Sequence, residues 1–198
     1  MKLDIEDNSA PALAEYKALV ATVNRGVTTM LAQEAFALSN EMKVGLIEQR
    51  PGGRPIRKLS RTTILLRGLR TGGNPGTKAL IDSASMVNSV NARKVSMYHY
   101  TAGVHRNVRS KDGKKLANIA AIHEYGTKSY TITVTEKMRR FSFVLMKHGI
   151  LHAPWRVGQT LKRRTEARPW LNPAHEKWEK KADERFTMGL AAIFGITM

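Results

Sequence analysis

The chain has no cysteine among its 198 residues. That excludes a disulfide framework and any thiolate metal site, and it suits assembly in a reducing cytoplasm. Long apolar runs are missing too: nothing approaches the roughly 18 uninterrupted apolar residues of a membrane span, so no membrane partner is expected. The first eight residues carry Asp4, Glu6 and Asp7 and no apolar stretch, unlike a secretory signal. Acidic residues are the scarcest charged class, 16 against 33 Lys and Arg, for a formal net charge of +17. With 42% apolar residues the chain can still bury a core, and wholesale disorder is not expected.

The charge is unevenly spread. Residues 1–48 hold four basic and seven acidic side chains, residues 49–115 hold fifteen and two, and residues 116–198 hold fourteen and seven. The middle of the chain therefore carries most of the positive field, which favours a polyanionic neighbour: nucleic acid, a membrane surface or an acidic protein. Within it, Arg50, Arg54, Arg57, Lys58, Arg61, Arg67 and Arg70 follow one another with no acid between them. They are the candidate contacts to DNA or to an acidic partner.

Apolar residues from Leu13 to Met42 recur at steps of three and four and predict one long helix over residues 10–48. Asn24-Arg25-Gly26 is a place where it could break, because glycine weakens a helix by roughly 1 kcal/mol. Pro51-Gly-Gly-Arg-Pro55 ends it, and residues 51–76 are expected to be a basic, Gly/Pro-rich linker or loop, with Ile64-Leu65-Leu66 a short strand or helical turn. A short helix is predicted over 77–90. Paired strands over 91–97 and 99–106 follow, with Val95, Met97, Tyr100, Ala102 and Val104 as inward candidates. Leu116, Ile119, Ala120 and His123 share a helical face that Gly126 is placed to cap. Tyr130 to Thr135 alternates as a strand, residues 136–148 turn helical, and a last helix is expected to open at Asn172-Pro173.

Catalytic patterns are sparse. His123-Glu124 starts a zinc-protease motif, but position 127 is Thr where a second His is needed. His148 and His152 are four apart beside Gly149 and Pro154, with no third ligand in view. Gly72-Gly-Asn-Pro-Gly-Thr-Lys78 lacks the Gly-Lys-Ser/Thr order of a phosphate loop. No cofactor is expected. No zinc finger, helix-turn-helix or aromatic RNA-binding strand motif is evident either.

Three segments, in order, resemble the tail-completion and virion-morphogenesis proteins of tailed bacteriophages. They are Lys78-Ala-Leu-Ile-Asp-Ser-Ala-Ser-Met-Val-Asn-Ser-Val90, followed by two strands ending in Thr101-Ala-Gly-Val104; Ala120-Ala-Ile-His-Glu-Tyr-Gly-Thr127; and Glu166-Ala-Arg-Pro-Trp-Leu-Asn-Pro-Ala174. Together they cover roughly residues 77–192. The resemblance implies an α+β fold: a small, mostly antiparallel sheet packed by helices, with a long N-terminal and a C-terminal helix. The division it suggests is a helical arm over 1–50, a linker over 51–76 and a core over 77–198, so that residues 1–48 could be removed without losing the core. It implies no catalysis. It implies a homo-oligomeric ring, a hexamer where it matches a tail tube, joining the tail to the connector around the DNA channel in the neck of the virion. The partners would be connector or portal-side proteins, tail-tube or tail-terminator proteins, and DNA held non-specifically, with assembly in the host cytoplasm. His123, Glu124, Tyr125, Gly126, Arg168, Pro169 and Trp170 are the motif residues, expected to maintain the fold, with Glu124 anchoring Arg168. The other readings are a stand-alone basic nucleic-acid-binding protein and a hydrolase using His123 and Glu124.

Overall fold

The computed structural model describes residues 9–70, 76–80, 85–110 and 112–196. Its first element, α1 (Ser9–Glu48), runs forty residues without a break at Asn24-Arg25-Gly26. Gly26 has a packing reason instead: a Cβ there would lie 2.6 Å from Cγ1 of Ile193 on the last helix. Gly189 on that last helix sits equally close to Met30, so the two helices approach through paired glycines. Helix α1 stops where Gln49 takes a left-handed φ of 60°. The Gln49 side chain offsets that strain, accepting from the Ala79 N–H at 2.6 Å and donating to the Ala79 carbonyl at 2.9 Å.

A 3₁₀ turn over Pro51–Gly53 leads to α2 (Arg61–Arg70). The expectation of a linker over 51–76 is corrected here, because ten of its residues form a helix. Ser60 starts that helix by accepting from the Thr63 N–H at 3.2 Å. The predicted helix over 77–90 is corrected at its start: residues 77–80 are not helical but lead through a bend into a turn, with Leu80 at a left-handed φ of 62° and the Ala79 backbone bonded to Gln49, while α3 (Ser85–Ser89) is helical and residues 81–84 lie outside the described residues. So does most of the Gly72–Lys78 segment.

Strands β1 (Val90–Ser96) and β2 (His99–Val104) pair antiparallel, with Val90 opposite Val104 and Ala92 opposite Ala102. The hairpin lies along α1, tied by Tyr98 Oη to Asn24 at 2.6 Å. Ala102 and Val104 pack on the core, but Val95 and Met97 are exposed. The far end of the hairpin overhangs the apolar layer, so alternation there no longer reports burial.

Helix α4 (Leu116–Tyr125) buries Leu116 and Ala120 as expected. Then β3 (Tyr130–Thr133), α5 (Glu136–Lys147) and β4 (Thr160–Arg163) form an excursion in which β3 and β4 pair antiparallel. The predicted single last helix is two, α6 (Leu171–Glu179) and α7 (Ala182–Phe194), parted at Lys180 and Lys181. The fold is α+β, with its strands in two separate antiparallel ribbons.

One core joins Met42 and Leu46 of α1 with Ile56, Ala79, Met86, Val90, Ala120, Trp170 and Ala174. The expectation that residues 1–48 could be removed without loss is therefore corrected: Met42 and Leu46 are almost wholly buried in that core. Within α1, only the stretch 9–22 is exposed throughout.

Glu34 locks α1 to the two last helices. Its carboxylate accepts from Arg185 Nε at 2.7 Å and Nη2 at 2.6 Å, and from Trp178 Nε1 at 2.9 Å. Glu34→Ala is expected to cost about 2–4 kcal/mol by urea denaturation. That is below a fully buried pair, because Arg185 keeps about a third of its side chain in water. The hydrogen bond from Arg185 holds the Glu34 carboxyl below its usual value. The stabilisation is therefore complete above the unfolded value of 4.5 and is lost as pH falls through the lower folded value. In Glu34→Gln the acid limb of the stability profile is expected to flatten.

Candidate functional site

The residues singled out by the family-like segments meet where α4 ends and α6 begins. Glu124 is on the last turn of α4 and is buried. It does not anchor the Arg168 side chain, which corrects that expectation. Its carboxylate instead accepts from the backbone N–H groups of Trp170 at 2.8 Å, Leu171 at 2.9 Å and Asn172 at 3.0 Å. These are orphan donors at the start of α6, which has no side-chain cap of its own, so Glu124 caps that helix from 46 residues away. The expectation that Asn172 caps and Pro173 opens this helix is corrected accordingly.

The neighbours of Glu124 fix the approach of the two segments. The Arg168 N–H donates to the His123 carbonyl at 2.6 Å, and Arg168 Nε donates to the Arg57 carbonyl at 3.3 Å. Gly126 has φ 72°, and a Cβ there would lie 2.8 Å from the Thr165 carbonyl oxygen. A side chain is thus barred by conformation and by space together. Trp170 is 1% exposed and fills the core, while Tyr125 is 73% exposed and Pro169 is also exposed.

His123 is half-buried, and its Nδ1 has no hydrogen-bond partner among the described residues. It borders a cleft of about 570 Å³ shared with Arg67, Arg70, Asp112, Lys114 and Arg168. Burial first, then the charges of Arg168 and Arg67, hold its imidazole below the usual histidine value. A lowered folded value means that the unfolded chain takes the proton more readily. Stability is therefore expected to fall as pH drops below about 6.5. The loss in melting temperature between about pH 7 and pH 5 should be smaller in His123→Asn. Equal losses in the two proteins would remove His123 as the cause.

The seven basic residues of 50–70 separate into different roles. Arg67 is buried and donates to the carbonyls of Gly76 and Lys78 at 2.9 and 2.7 Å, so it holds the fold. Arg54 pairs with Glu176 at 2.7 Å and Arg57 with Glu166 at 2.8 Å, both exposed. Arg50, Lys58 and Arg61 are exposed with no acidic partner among the described residues, and Arg70 is exposed at the end of α2. The segment thus meets acids of its own chain at two positions.

No group of three or more metal-ligating side chains occurs among the described residues, and no described helix is long and apolar enough to cross a membrane. The chain is an α+β protein whose motif residues serve helix capping and close backbone approach. No known family model, curated protein or solved structure matches it.

Proposed function

We propose that this chain is a structural virion protein of a tailed bacteriophage. In this reading it forms a ring at the head–tail junction or tail end and joins tail to connector around the DNA channel. The observation that carries the reading is the exposed apolar start of α1. Residues 9–22 are all exposed, yet Leu13, Tyr16, Leu19 and Val20 lie among them at helical steps. A lone chain gains nothing by extending an apolar helix into water, whereas a ring member can lay it on the next copy. The charge asymmetry supports a head-to-tail contact: residues 1–48 carry an acidic excess of three, residues 49–115 a basic excess of thirteen. Such a heterologous contact closes into a ring when its rotation allows. The three family-like segments add support, since residues from each of them meet in one core and Glu124 of the second caps the helix opened by the third.

The test is electron microscopy and native mass measurement of the purified chain, alone and with isolated tails. Closed rings, alone or seated on tail ends, are expected. A chain that stays monomeric and leaves tails undecorated at high concentration would overturn the reading.

A further inference from the structure

The excursion over residues 127–165 leaves and re-enters the body at one point. The Thr127 N–H donates to the Thr165 carbonyl and the Thr165 N–H to Thr127 Oγ1, each at 2.9 Å. It has a small core of its own. Val134 and Leu145 are 1% and 2% exposed but stand outside the main core cluster. Ser142 is wholly buried and accepts from the Trp155 N–H at 3.0 Å. The β3–β4 ribbon and α5 therefore make a compact projection, held to the rest chiefly through its base.

Its charge is strongly one-sided. Thirty-nine residues hold nine Lys and Arg against one acid, Glu136. That acid is already shared by Arg139 at 3.3 Å and Arg140 at 3.6 Å. Arg163 lies over the Trp155 ring at 5.2 Å and Arg139 over Phe143 at 5.7 Å. The other basic side chains are exposed and have no acidic partner among the described residues. The register places Thr131 opposite Lys162 and Thr133 opposite Thr160, so one exposed face of the ribbon presents three hydroxyls and an ammonium. On α5, Arg140, Phe143 and Lys147 step by three and four along an exposed side.

We propose that this projection binds the phosphate backbone of duplex DNA without reading sequence. Hydroxyl and ammonium donors are what phosphate oxygens accept, and such contacts position a protein without specifying bases. A duplex offers one negative charge about every 1.7 Å, a density that matches eight net positive charges packed into one small projection. Arg54, Arg57 and Arg67 of the 50–70 segment, by contrast, are engaged within their own chain. The inference stands apart from the ring reading, because a single chain carries the whole surface.

The test is fluorescence anisotropy of a labelled duplex about 30 base pairs long, titrated with full-length protein between about 0.05 and 0.2 M salt. Lys137→Gln, Lys147→Gln and Lys162→Gln are combined in one variant. A second variant combines Lys128→Gln, Arg156→Gln and Arg164→Gln, so that a folding defect in either does not decide the matter. A control combines Arg50→Gln, Lys58→Gln and Arg61→Gln and removes the same charge from the other segment. Each projection variant is expected to weaken binding about 10- to 100-fold and to shrink the slope of log affinity against log salt by about 3, with the control changing both less. Equal losses in all three variants would reduce the effect to net charge and overturn the proposal. Absence of binding by the unaltered chain at about 0.05 M salt would also overturn it.

Discussion

Glu124→Ala is expected to lower the free energy of unfolding by about 3–5 kcal/mol, a large share of what a domain of this size possesses. The carboxylate satisfies three consecutive N–H groups, of which the Trp170 N–H is buried and the other two partly so. Alanine leaves them without a partner, and each buried unsatisfied donor costs about 1–3 kcal/mol. The charge also faces the positive end of α6, an attraction that alanine removes. Glu124→Gln keeps one acceptor oxygen, and about 1–2 kcal/mol is expected. Arg168→Ala should cost less than about 1 kcal/mol, because its side chain makes one 3.3 Å bond to a carbonyl at the surface. A double-mutant cycle between the two positions should then show coupling within about 0.5 kcal/mol of zero. Urea denaturation checks all four values. A Glu124→Ala protein within about 1 kcal/mol of the parent would show that water takes over the cap.

Local pattern made α1, the β1–β2 hairpin, α4 and α5 legible. Thr135 caps α5 through its hydroxyl, and Gly126 closes α4, both as their residue types lead one to expect. The contact made by Glu124 was not legible in the same way. A carboxylate three residues before the His123-to-Thr127 turn ends points as readily to an arginine as to three backbone donors 46 residues on, and only the packing decides. Helix α2 was hidden by its three arginines and two threonines. The signal that could have found it is Ser60 three residues before Thr63, a local cap preceding Ile64-Leu65-Leu66. Strand β4 is four residues with one apolar side chain, and its partner β3 lies across the whole of α5, so no local pattern marks it.

The charge distribution was legible in amount but not in place. Summed over residues 116–198, fourteen basic and seven acidic side chains look milder than the middle of the chain. The fold divides that third differently. Nine of the basic residues and one acid go to the projection over 127–165, and the remaining acids collect on α4, α6, α7 and their approaches. Two of those acids, Glu166 and Glu176, then pair with Arg57 and Arg54. Tertiary pairing thus moves the unneutralised field from the segment where the sequence is most basic to one where a sum over a third of the chain conceals it.

Removal of residues 1–22 is expected to leave a folded protein that no longer assembles. The cut spares Met42 and Leu46, the Glu34 lock and the Gly26 contact with Ile193, so the connections of α1 to the body persist. What goes is a stretch whose described residues, 9–22, are all exposed, about 21 Å of helix at ~1.5 Å per residue. Its alanines at 10, 12, 14, 18 and 21 let it extend from a helix already nucleated by the body, so it keeps its shape without tertiary support. Burying Leu13, Tyr16, Leu19 and Val20 on a neighbour would contribute roughly 5–10 kcal/mol gross per contact, comparable to the cost of immobilising a subunit. A ring that receives this term at every interface closes, and one deprived of it at every interface does not. The melting temperature of the truncated chain should stay within about 5 °C of the parent, with its mass that of a monomer. Rings formed by the truncated chain would show that assembly uses another surface, and a chain that unfolds would show that these residues stabilise the body itself.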